Sequence, residues 1–114
     1  MAKTVKDMLA EANAAVEKID PARARELIAE GALVVDVRDG TEVAASGRVR
    51  GAVHVNRGLL EFKADDATAS HDPAFRKDRP VITYCASGGR AALAAKTLKD
   101  MGYARVYSLG GFKD

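Results

Sequence analysis

Between Thr4 and Val16, Val5, Met8, Leu9, Ala12 and Val16 recur at spacings of three and four, while Lys6, Asp7 and Glu11 fall outside that stripe. The spacing predicts an amphipathic helix packed on the rest of the molecule. Asp20-Pro21 supplies an N-cap and a proline at the first helical position, Ala24, Leu27 and Ile28 form the next stripe, and Gly31 ends it, predicting a second helix. Leu33-Val34-Val35-Asp36-Val37 is nearly continuous in apolar character, the pattern of a strand covered on both faces, and Ala52-Val53-His54-Val55 resembles it. From about Asn56 to Arg79 the chain turns polar, with a short helix expected around Leu59, Leu60 and Phe62 and a turn at Pro73-Ala74-Phe75. After Pro80, Val81-Ile82-Thr83-Tyr84 reads as a central strand running into Cys85. Gly88-Gly89 permits a tight bend into a helix from Ala91 to Met101, closed by Gly102, before Val106-Tyr107-Ser108-Leu109 returns as a strand. This alternation predicts an α/β sandwich around a largely parallel sheet.

Composition narrows the functional classes. The 114 residues, 47% apolar and 30% charged, suit one folded domain, and no Pro/Gly/Ser-rich linker divides them. The net charge of +2, from 18 basic and 16 acidic residues, is too small to imply nucleic acid or an anionic membrane as a partner. No run approaches the roughly 20 apolar residues of a membrane-spanning helix. Lys3 and Lys6 are followed by Asp7, Glu11, Asn13 and Glu17, which interrupt any signal-peptide core, so a cytoplasmic protein is expected.

Cys85 is the single cysteine, which excludes an internal disulfide and fits a reducing compartment. A solitary thiol is either a small buried hydrophobe or a reactive group. Its setting favours the second: it stands at a strand end, followed by Ala86-Ser87-Gly88-Gly89 and then Arg90 at a helix start. In open α/β sheets ligands bind beyond the carboxyl ends of the strands. Small side chains let successive backbone N–H groups converge on one anionic atom, and the helix end adds partial positive charge. Such a cradle stabilises a thiolate and can hold an oxyanion or a terminal persulfide sulfur above it.

Four segments then carry a resemblance: Asp36-Val37-Arg38 with Glu42; Gly47-Arg48-Val49-Arg50-Gly51-Ala52-Val53-His54; Tyr84 through Arg90; and Leu109-Gly110-Gly111-Phe112. In this order, from about Asp20 onward, the chain resembles a single-domain rhodanese. The resemblance implies a three-layer sandwich with a largely parallel five-stranded sheet, formed by residues 19–114 behind a helical extension at 1–18. It also implies a sulfurtransferase in which Cys85 takes a sulfane sulfur from a donor such as thiosulfate and passes it, as a persulfide, to cyanide, a thiol or a sulfur-relay protein. No cofactor is called for. Ala86, Ser87, Gly88, Gly89 and Arg90 become the substrate-binding loop, and Asp36, Arg38 and Glu42 a structural motif that fixes the following turn. The alternative is a persulfide carrier or a sulfur-binding regulatory module without turnover. Related phosphatases resemble a cysteine, five residues and an arginine, whereas here four residues separate Cys85 from Arg90. Similar chains continue past Gly-Gly-Phe with a tryptophan and a closing helix, so the resemblance implies a domain truncated at its C-terminus.

The remaining polar residues support quieter roles. His54 in an apolar strand is expected to be a hydrogen-bonded core residue, His71 a loop residue, and neither has metal-ligand spacing with Cys85. Arg90 is open to helix capping, anion binding or pairing with a carboxylate, with anion binding slightly favoured. Arg48, Arg50 and Arg57 either bias the rim towards anions or are solvated surface charges.

Overall fold

The computed structural model describes residues 2–111. Helix α1 (Val5–Ala15) begins at Thr4, whose hydroxyl accepts the Asp7 N–H (3.1 Å) while the Asp7 carboxylate accepts the Thr4 N–H (3.0 Å). This reciprocal cap satisfies two amides that the first turn would otherwise leave open. Strand β1 (Glu17–Lys18) leads to α2 (Pro21–Ala29), where the Asp20 carboxylate accepts the Arg23 N–H at 2.8 Å. Strand β2 (Leu33–Asp36), helix α3 (Gly40–Ser46) and strand β3 (Val53–His54) follow. A 3-10 turn at Arg57–Leu59 passes into α4 (Leu60–Ala64), and β4 (Val81–Cys85), α5 (Gly89–Asp100) and β5 (Val106–Gly111) follow.

All neighbouring strands are parallel, in the order β1-β5-β4-β2-β3. Every residue of β2 and β4 is buried, as their unbroken apolar runs predict. Alternation sorts the core into two faces. Leu33, Val35, Val81 and Cys85 pack with Leu60, Ala91, Ala94, Ala95 and Leu98 of α4 and α5. Val34, Ile82 and Tyr84 pack with Ala24 and Leu27 of α2 on the other side. Helix α1 lies against α5. In the β4–β5 ladder Thr83 faces Ser108 but Tyr84 faces Gly110, so a bulge at Leu109 brings Gly110 and Gly111 beside Tyr84 and Cys85.

Several expectations need correction. In α1 only Ala12 is buried within the helix, and Val5 (62% exposed) and Met8 stand in solvent because the stripe meets α5 only along its Leu9–Ala12–Val16 side. Ile28 is exposed, since α2 turns Ala24 and Leu27 to the sheet. The strand expected at Ala52–Val55 shrinks to a half-buried edge pair at Val53–His54. Leu59 and Phe62 are exposed, and Leu60 and Ala64 anchor α4 instead. Phe112 lies outside the described residues.

Candidate active site

Cys85 closes β4, the middle strand of the sheet, and its side chain is fully buried at the carboxyl edge of that sheet. Ala86 and Ser87 then rise to the surface, and the chain turns back through Gly88 at φ +102°, ψ −19°. That backbone conformation is nearly free for glycine and costly for any residue with a Cβ. The turn delivers two amides to one atom: Gly88 N–H and Ala91 N–H donate to Cys85 Sγ at 3.0 and 3.3 Å. Both belong to the opening of α5, where the first amides have no partner inside the helix. The buried Thr83 hydroxyl donates to the Ala91 carbonyl at 2.8 Å, tying the strand to that first turn. The sulfur therefore sits where backbone dipoles concentrate positive potential.

Arg90 is committed elsewhere in the same loop. Its guanidinium grips Glu42 of α3 through both nitrogens, Nη1 to Oε1 at 2.6 Å and Nη2 to Oε2 at 2.9 Å. Glu42 Oε1 also accepts the Asp39 N–H at 3.2 Å. The Arg90 hydrogen bonds, followed by that from the Asp39 backbone, hold the Glu42 carboxyl down at about 2. Hydrogen bonding to Glu42 in turn raises Arg90, against its partial burial. Of the three fates open to Arg90, pairing with a carboxylate is the one observed.

Helix α3 is itself anchored by a buried pair. Arg38 is 1% exposed and Asp36 is fully buried; Arg38 Nη2 donates to Asp36 Oδ2 at 2.7 Å and Nε to Oδ1 at 3.0 Å. Burial pushes the Asp36 carboxyl up, and the hydrogen bonds from the Arg38 side chain and backbone outweigh it, leaving the group below its ordinary range. The same guanidinium donates to Ser46 Oγ (2.8 Å) and to the Gly47 carbonyl, stapling the end of α3, and stacks over the Tyr84 ring at 5.6 Å. Asp36 and Arg38 thus hold the end of α3 through Ser46 and Gly47, and Glu42 of the same helix holds Arg90 of the Cys85 loop. His54 Nε2 lies 2.7 Å from the Arg38 carbonyl at the sheet edge, half-buried, and His71 Nε2 lies 3.2 Å from the Phe75 carbonyl in the α4–β4 connection. Arg57 is bound to Glu61 and Thr97, while Arg48 and Arg50 are exposed on the α3–β3 connection.

A cavity of about 200 Å³ borders the loop. Ser87, Gly88 and Gly89 form one wall, and Leu9, Asn13 and Lys18 another. Nothing local in the sequence marks Asn13 or Lys18; the packing of α1 on α5 carries Asn13 there, and the pairing of β1 with β5, Lys18 opposite Ser108, carries Lys18.

The family model described as rhodanese-like domain matches residues 20–114. Thiosulfate sulfurtransferase GlpE of Pseudomonas fluorescens is 39% identical over 100 residues, covering 85% of this chain and 82% of that protein. GlpE of Pseudomonas entomophila is 36% identical over 101 residues, with the same coverage. A Rhodopseudomonas palustris protein of unknown function, described as a possible tyrosine phosphatase, has a similar structure: TM-score 0.88, 39% identity, and 98% of this chain and 88% of that one covered. The human single-domain sulfurtransferase shares the fold at a TM-score of 0.71 and 23% identity, with 84% of this chain and 90% of that one covered.

Proposed function

Because this chain belongs to the rhodanese-like domain family, we propose that it is a sulfurtransferase that carries a sulfane sulfur as a persulfide on Cys85. The observation that carries this reading is the convergence of the Gly88 and Ala91 N–H groups on Cys85 Sγ. With thiosulfate as donor, the Cys85 thiolate attacks the sulfane sulfur, the donor's S–S bond breaks, and sulfite departs with the bonding electron pair. The product is a Cys85 persulfide whose terminal sulfur carries the negative charge. An acceptor such as cyanide or a thiolate then attacks that outer sulfur, the new bond forms, and the pair returns to Sγ. Neither step transfers a proton, so a ring of backbone donors around the sulfur anion suffices and no proton shuttle is needed.

In this reading the loop from Ala86 to Gly89, with the Gly88 and Ala91 amides directed at Sγ, receives the transferred sulfur, and Arg90, held by Glu42, fixes the far end of that loop. A phosphatase needs a wider loop and an arginine available to a tetrahedral oxyanion; the four residues between Cys85 and Arg90, and the engagement of Arg90 by Glu42, favour a single-sulfur ring. Residues 19–114 are the transfer unit and 1–18 an extension of it. The partners are a small donor and acceptor, or a relay protein presenting a thiol, in the cytoplasm; neither nucleic acid nor membrane takes part. No helix among the described residues is long and apolar enough to cross a membrane.

Incubation with thiosulfate, read by intact mass, is expected to add one sulfur atom to the protein and none to Cys85→Ser. Equal loading of that variant overturns the assignment. Repeated formation of thiocyanate from thiosulfate and cyanide establishes turnover, whereas one stoichiometric loading that resists acceptors supports the carrier alternative.

A further inference from the structure

We infer that the cavity between the Cys85 loop and the N-terminal segment is the subsite for the anionic end of the sulfur donor, with Lys18 and Asn13 as its recognition groups. The inference rests on the sulfurtransferase reading and deepens it. A small sulfane donor of the thiosulfate type carries two negative charges, and the leaving group retains them, so a site that binds it needs cationic charge not already spent. Arg90 does not meet that need, because Glu42 matches it at 2.6 and 2.9 Å. Among the residues lining the cavity Lys18 is the one with a charged side chain, and among the described residues it has no carboxylate within ion-pair distance. The side chain of Asn13, on α1, makes no hydrogen bond among the described residues and offers an amide donor to an oxyanion.

The placement is fixed by packing. A Cβ built on Gly89 would lie 3.9 Å from Leu9 Cδ2, so α1 rests directly on the start of α5 whose amides hold the sulfur. Lys18 stands opposite Ser108 in the β1–β5 ladder, and both line the cavity. The volume, about 200 Å³, accommodates a small oxyanion together with water, each water occupying about 30 Å³. The family-model match begins at residue 20, so Leu9, Asn13 and Lys18 all lie in the segment preceding it. Donor choice is thereby assigned to the extension, while sulfur transfer itself belongs to the Cys85 loop.

The test uses the full chain with Lys18→Glu, Lys18→Arg and Asn13→Ala. Persulfide loading by thiosulfate is followed by intact mass over a range of concentrations, and alkylation of Cys85 by neutral iodoacetamide is followed in parallel. Lys18→Glu is expected to raise the half-saturating thiosulfate concentration about tenfold, the scale of reversing one partly screened charge, while the iodoacetamide rate stays within about twofold of the parent. Lys18→Arg restores loading, and Asn13→Ala shifts it in the same direction as Lys18→Glu by less. An unchanged thiosulfate dependence in Lys18→Glu overturns the inference. So does an equal loss towards thiosulfate and iodoacetamide, since Lys18 would then act on the cysteine and not on the anion. Failure of the parent protein to load sulfur while its thiol still alkylates overturns instead the sulfurtransferase reading beneath it.

Discussion

At φ +102° Gly88 holds a backbone conformation that β-branched residues are excluded from, and its N–H is one of the two that reach the sulfur. A Gly88→Val replacement must either strain the turn or release it. The strain costs about 1–3 kcal/mol, and a released turn removes the 3.0 Å donor from Sγ. Chemical denaturation is expected to show a loss of that size with the far-ultraviolet dichroism of the helices intact, while persulfide loading falls steeply. Full loading in a destabilised Gly88→Val protein would mean that the Ala91 amide alone sustains the site. The glycines, the cysteine and the helix start are adjacent in the chain, which is why this part of the site was legible from sequence. The partner of Arg90 was not, because Glu42 arrives from a separate crossover and no spacing rule connects the two.

Elements follow the same logic. The long strands and helices declare themselves by period, and β2, β4, α2 and α5 lie where the apolar pattern puts them. Two elements escape it. Strand β1 is only Glu17–Lys18, both exposed, and exists through its pairing with β5. Helix α3 buries no residue and is held by polar contacts from Arg38 and Arg90; the pairing of Asp39 with Glu42 three positions later was the signal available for it. The face of α2 turned out narrower than its stripe, which separates neighbouring residues sharply. Leu27 is fully buried and Ile28 is 42% exposed. Leu27→Ala is expected to cost about 2–5 kcal/mol, and Ile28→Ala about 0.5 kcal/mol or less, in urea unfolding. Comparable losses at both positions would place Ile28 in the core and refute the orientation of α2.

Across the whole molecule, the Glu42–Arg90 pair joins the β2–β3 half of the sheet to the loop that leaves β4. Glu42 titrates at about 2 in this setting against an ordinary 4.5, so the folded state binds its proton less readily than the unfolded chain. Its contribution is fully present above the ordinary value and is lost as pH falls through the folded one. Carboxyl NMR is expected to find the Glu42 midpoint near 2 and to find it raised in Arg90→Ala, though still below 4.5 because the Asp39 N–H remains on the carboxylate, and an unmoved midpoint in that variant refutes the pairing. The sheet order has a further consequence, in the time domain. Among the described residues strand β1 pairs with β5 alone, across some ninety positions of sequence from Glu17 to Tyr107. A chain emerging from the ribosome N-terminus first therefore holds Glu17 and Lys18 without a ladder until β5 has been made. Assembly must close the largest loop in the fold as a late event, and pairings so distant in sequence slow folding. During that interval the thiol already exists without its finished surroundings, so a newborn molecule is chemically distinct from a mature one, and reagents that spare the native cysteine should mark chains still on their way to it.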